Sequence, residues 1–109
     1  GYPDMIEISK DMVKQLETGI TTKDDVKLIL GEPAEKDDRF YTYWWKRKDG
    51  YFFAMANTGV FSSGSTIDLH AFCLEFMPDG RLKRFKHFES RWFKREVYKQ
   101  VLGWKKKAY

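Results

Sequence analysis

The sequence predicts an α+β fold: two N-terminal helices packed on a three- or four-stranded antiparallel meander sheet, plus a C-terminal basic amphipathic helix. Three observations predict it. Two short apolar-periodic segments with helix-cap residues come first. Aromatic and β-branched runs separated by Asp-Gly and Pro-Asp-Gly turns follow. A segment rich in Lys and Arg, with apolar residues at helical spacing, closes the chain. Helices first and strands afterwards is the order of an α+β domain rather than of alternating parallel units.

The first helix is expected to begin after Ser9, whose hydroxyl can cap the first turn, and to run from Lys10 to Thr18. Met12, Val13 and Leu16 form its apolar stripe, and Gly19 ends it. The second begins at Thr22, because Thr22-Lys23-Asp24-Asp25 resembles a capping box with Asp in place of Glu or Gln. Val26, Ile29 and Leu30 make its buried face, and Gly31 stops it, with Pro33 two residues on. Phe40 to Trp45 reads as a strand, Lys48-Asp49-Gly50 as a tight turn, and Tyr51 to Ala56 as a returning strand. Asn57 to Thr66, with two Gly and three Ser, reads as a loop. Ile67 to Met77 is a long third strand and Leu82 to Phe88 a fourth, joined by Pro78-Asp79-Gly80.

Arg91 to Gly103 reads as a helix with Phe93, Val97, Val101 and Trp104 on one stripe and Arg91, Arg95 and Lys99 on another. The third strand is apolar on both faces: Ile67, Leu69, Ala71 and Cys73 alternate with Phe72, Leu74 and Phe76. An antiparallel sheet with one wet face alternates apolar with polar. Something therefore covers the second face: the C-terminal helix, the loop 57–66 or another chain. The organisation expected is a domain over 1–90 and a basic aromatic helix and tail over 91–109.

With 109 residues the chain has room for one core but not for a large α/β barrel or a propeller. Nineteen aromatic side chains argue against disorder. No run approaches the roughly 18 apolar residues of a membrane span. One cysteine, Cys73, excludes an intrachain disulfide and a cysteine-built zinc site. The net charge of +4 hides an asymmetry. Residues 1–80 hold nine Lys/Arg against fourteen Asp/Glu, and residues 81–109 hold eleven against two. A basic quarter on an acidic body steers towards anionic partners.

The segment from Ile20 to Pro33, with Thr22, Val26, Leu30, Gly31 and Pro33, followed by the aromatic strand Tyr41 to Trp45, resembles the hallmark of the SmpA/OmlA, or BamE-like, lipoprotein domain family. Phe76 and Asp79-Gly80-Arg81-Leu82 are similar to that family's closing hairpin. The resemblance covers about residues 10–90. It implies two helices on a three-stranded antiparallel sheet. It also implies an outer-membrane lipoprotein facing the periplasm, anchored through a segment upstream of Gly1, and a role as an accessory factor in β-barrel protein assembly or envelope integrity. The chain departs from the pattern at Ile20, where the family has Gly, in the stretch 51–66, which looks like an insertion, and in the basic tail.

The inventory of reactive groups points away from an enzyme. His70 and His87 have no Cys or second His near them in sequence, and His70 with Asp68 is only an i, i+2 pair on one strand face. Cys73 in an apolar strand reads as a buried thiol. Ser62-Ser63-Gly64-Ser65 is no nucleophile elbow, and there is no glycine-rich phosphate loop. Hence no catalytic residue, metal or cofactor is expected. Binding remains, with Trp44, Trp45, Arg91, Trp92, Arg95 and Lys99 as candidate residues. Trp44 and Trp45 face opposite sides of the sheet; one is core, and the other is either an exposed anchor or covered by the C-terminal helix. The expected partner is a protein of the cell envelope. The alternative is a membrane-surface or cell-wall binder acting through the basic helix on anionic lipid. A nucleic-acid module ranks last, since the first eighty residues are acidic and no nucleic-acid motif appears.

Overall fold

The structure, a computed structural model, describes residues 7–48, 67–90 and 94–107. Helix α1 spans Lys10–Lys14, and Ser9 Oγ accepts from the Met12 N–H as expected. The helix stops short of Thr18. Gln15 and Leu16 N–H groups turn to the carbonyls three residues back, and the Glu17 N–H goes to the Thr21 hydroxyl at 2.8 Å instead of to a helical carbonyl. That side-chain bond competes with the helix and ends it. Gly19 then adopts φ 82°. Helix α2 spans Lys23–Leu30 with both halves of the capping box formed: Thr22 Oγ1 accepts from the Asp25 N–H, and Asp25 Oδ2 accepts from the Thr22 N–H. Gly31 takes φ 87°, the left-handed region that stops the helix.

The sheet has the order β1-β2-β3-β4 and is antiparallel throughout. Strand β1 is Glu35–Lys36, β2 is Phe40–Lys48, β3 is Ile67–Phe76 and β4 is Leu82–Ser90. β2 pairs with β3 from Phe40↔Glu75 to Lys48↔Ile67, and β3 with β4 from Leu69↔Ser90 to Phe76↔Leu82, with a bulge at Glu75/Phe76. The returning strand expected at 51–56 lies outside the described residues. The extra strand seen is β1, whose two polar residues pair with Thr42 and Tyr41. Helix α3, Lys94–Lys106, follows. No described helix is long and apolar enough to cross a membrane.

Alternation along the strands makes two cores. On one face Tyr41, Tyr43, Trp45, Phe72, Leu74 and Leu82 pack against Leu16, Val26 and Leu30. On the other, Leu69, Ala71, Cys73 and Phe88 pack against Val97 and Val101 of α3, with Trp44 and Trp104 alongside. The covering element is therefore the C-terminal helix. Its last turn is fixed by a buried carboxylate. Glu75 is 1% exposed, accepts from Arg84 Nε and, at 2.7 Å, from Arg39 Nε. Arg84 Nη2 in turn donates to the Trp104 carbonyl at 2.9 Å, and its guanidinium lies 4.0 Å from the Trp104 ring centroid. Burial pushes the Glu75 carboxyl up, but the hydrogen bonds from Arg84 and Arg39 outweigh it and hold it below the usual carboxylate range.

Candidate functional site

A helix that buries one stripe presents the opposite one. Val97, Val101 and Trp104 face the sheet, so Arg95, Tyr98, Lys99 and Leu102, at i, i+3, i+4 and i+7, face outward. Tyr98 is 50% and Leu102 57% exposed. Tyr98 leans on Trp44, with ring centroids 4.8 Å apart. Trp44 is half-buried, and its indole Nε1–H donates to Glu35 Oε1 at 2.7 Å, so β1 helps to hold the ring. The result is a patch of two aromatic rings and a leucine beside an exposed Arg and Lys. Trp, Tyr and Arg are the residue types that dominate protein-binding hot spots.

Three of the candidate residues thus belong to one surface: Trp44, Arg95 and Lys99. Trp45 goes elsewhere; it is buried on the α1/α2 side of the sheet. Arg91 and Trp92 lie outside the described residues. Tyr98 and Leu102 were missed in the sequence. Their signal is present in the spacing, since both fall next to Arg95 on the helical wheel, at the edge of the basic stripe.

The other face holds a histidine pair. The β3–β4 register sets His70 opposite Glu89 and His87 opposite Phe72, so the two imidazoles meet on the diagonal. His70 Nδ1 and His87 Nε2 are 2.9 Å apart, and the rings lie within 5° of parallel. Trp45 stacks on both, at 5.0 and 5.5 Å between centroids. Glu89 Oε2 is 3.8 Å from His70 Nδ1. Burial, reinforced by the neighbouring His70, holds His87 below the ordinary imidazole range, while Glu89 opposes this. The pairing is invisible as sequence spacing, and counting outward from Phe76↔Leu82 at the hairpin would set His87 opposite Ala71 on the other face; the bulge at Glu75/Phe76 shifts it opposite Phe72 and beside His70. Asp68, the i, i+2 neighbour of His70 on its own strand, has a side chain outside the described residues.

Ser9, which lines the same groove as the imidazoles, accepts from the Met12 N–H as the cap of α1. Cys73 lies on the opposite face, wholly buried, and burial pushes its thiol up to about 11. No group of three or more His, Cys, Asp or Glu that could hold a metal ion is found among the described residues. A groove of about 790 Å³ runs between the segment 7–14 and the sheet, with Trp45, Phe72, Phe85, His70 and His87 in its walls.

No curated protein and no solved structure matches the chain. A family model does: residues 7–85 match the outer membrane protein assembly factor BamE domain. The match runs from just before the Ser9 cap to Phe85 in β4, through both capped helices and the aromatic strand, and it stops short of α3. Because it spans well over half of the sequence, the chain belongs to the BamE domain family, the domain of an outer membrane protein assembly factor.

Proposed function

We propose that this chain is a non-catalytic envelope module that binds another protein during outer-membrane β-barrel assembly. In this reading it is a BamE-like domain over 1–90 with a basic helix appended over 91–109. It acts at the periplasmic face of the outer membrane, anchored by lipid through an upstream segment. The observation that carries the reading is the patch of Trp44, Tyr98 and Leu102 flanked by Arg95 and Lys99, on a chain of this family. A Trp and a Tyr in contact bury large area at little entropic cost, and the flanking cations favour an acidic partner surface. Deleting the gene in its host is expected to lower the amount of folded outer-membrane β-barrel protein, and the intact chain to restore it. Tyr98→Ala with Leu102→Asp should fail to restore it while the purified variant melts like the parent. Full restoration by that variant would remove the patch from function.

The alternative, a membrane-surface binder, has support in the basic stripe of α3. It loses the apolar stripe it would need, because Val97 and Val101 are buried on the sheet. Sedimentation of the intact chain with anionic vesicles at low salt, abolished by Arg95→Ala with Lys99→Ala, would revive it.

A further inference from the structure

The groove under α1 has features that neither capping nor core packing requires. Its floor is the aromatic surface of Trp45, Phe72 and Phe85, and Lys10 and Lys14 line it from α1. The two lysines stand at i, i+4, where like charges repel. Glu7 is the one carboxylate in the lining. His70 is in the wall with 9% of its side chain exposed, and its Nε2 has no hydrogen-bond partner. A buried polar atom left unpaired is unfavourable. The other ring nitrogen, Nδ1, is already engaged by His87. In the tautomer where His87 Nε2–H donates to His70 Nδ1, His70 carries its hydrogen on Nε2, a donor without an acceptor; in the other, Nε2 is an acceptor without a donor. At about 790 Å³ the groove is of small-molecule size, a class that runs from roughly 300 to 1,000 Å³.

We propose that this groove binds a small apolar monocarboxylate. Its hydrocarbon body lies on Trp45, Phe72 and Phe85, and its carboxylate is held by Lys10 and Lys14, and by His70 in the tautomer that carries its hydrogen on Nε2. The charges choose the class. An anion relieves the lysine pair and gives the imidazole donor an acceptor. A cationic amphiphile would meet two ammonium groups, and a neutral one would leave all three donors unused. His70 Nε2 is buried in the unliganded fold, so binding requires the groove wall to yield at that atom. The site lies on the opposite face of the sheet from the α3 patch, so it stands or falls independently of the function proposed above.

The test titrates the full chain with decanoate below its micelle concentration, alongside decanol and decyltrimethylammonium of equal chain length. Calorimetry reads affinity, and the indole N–H signals report which Trp is touched. One decanoate per chain is expected, moving the Trp45 signal and weakening as salt rises. Lys10→Ala with Lys14→Ala should weaken decanoate by about fivefold to tenfold, the sum of two exposed charge contacts, with decanol unchanged. His70→Phe, which keeps a ring against Trp45, should weaken decanoate too, in a protein whose circular dichroism matches the parent. Equal affinity for the three amphiphiles, undiminished binding in the double-lysine variant, or a signal change at Trp104 in place of Trp45 would overturn the proposal. So would an acidic peptide of alternating Glu and Leu that binds the groove more tightly than decanoate.

Discussion

Truncating the chain after Ser90 removes α3, and the structure sets how much that costs. The cut strips the cover from Leu69, Ala71, Cys73 and Phe88, and it discards the buried surface of Val97 and Val101. Four of these are large apolar side chains that are at most 6% exposed: Leu69, Phe88, Val97 and Val101. At about 1.5–3 kcal/mol for each such side chain, the loss is roughly 6–12 kcal/mol, an upper estimate because unfolded chains are partly collapsed. The whole stability of a domain is about 5–15 kcal/mol. The truncated chain is therefore expected to lose its cooperative melt, or to aggregate through the bared face. Cys73 gives a second readout. In the intact chain its thiol is buried and its pKa is pushed up to about 11, so reaction with a disulfide reagent at pH 8 should be slow. Without α3 it should be fast. A milder change, Val97→Ala, removes two methyl groups from a fully buried site and should cost roughly 1–2.5 kcal/mol. That corresponds to a fall in Tm of several degrees. A truncated chain that melts cooperatively at the parent's temperature with Cys73 still protected would refute the covering role.

The α2 terminus and the histidine pair give two further expected outcomes. Gly31→Val places a β-branched residue at φ 87° and should destabilise by roughly 1–3 kcal/mol, read by urea denaturation; an unchanged midpoint would mean that the α2 terminus does not need that conformation. The histidine pair predicts acid sensitivity. His87 is held below its unfolded value, by burial first and by His70 next, so the unfolded chain binds its proton more readily. Stability contributed by the neutral ring is complete above the unfolded value near 6.5 and declines as pH falls from there towards the folded value. His87→Phe should flatten the stability profile between about pH 7 and pH 5; a variant that keeps the parent's slope would place the proton uptake elsewhere.

What the sequence determined by itself was local. Ser9, the Thr22–Asp25 box, Gly31 and the Pro78-Asp79-Gly80 hairpin act through hydrogen bonds and backbone angles within four residues, so their outcomes are written in adjacent letters. The double-sided apolar pattern of β3 was equally legible, because strand period alone decides which side chains share a face. It required a second cover without naming one. Tertiary structure decided the rest. The α1 helix ended early because Thr21 took the Glu17 N–H, a competition that intrinsic helix propensity does not register. β1 exists because the edge of β2 offers partners to Glu35 and Lys36, which have no strand pattern of their own. Trp44 and Trp45 differ by one position in the chain, yet one stands beside Tyr98 on α3 and the other under the histidines. His70 and His87 are seventeen residues apart and touch only because the β3–β4 register sets them on one diagonal. Contacts of that range depend on how strands pair and helices dock, and those choices minimise exposed apolar area over the whole chain rather than over any window of it.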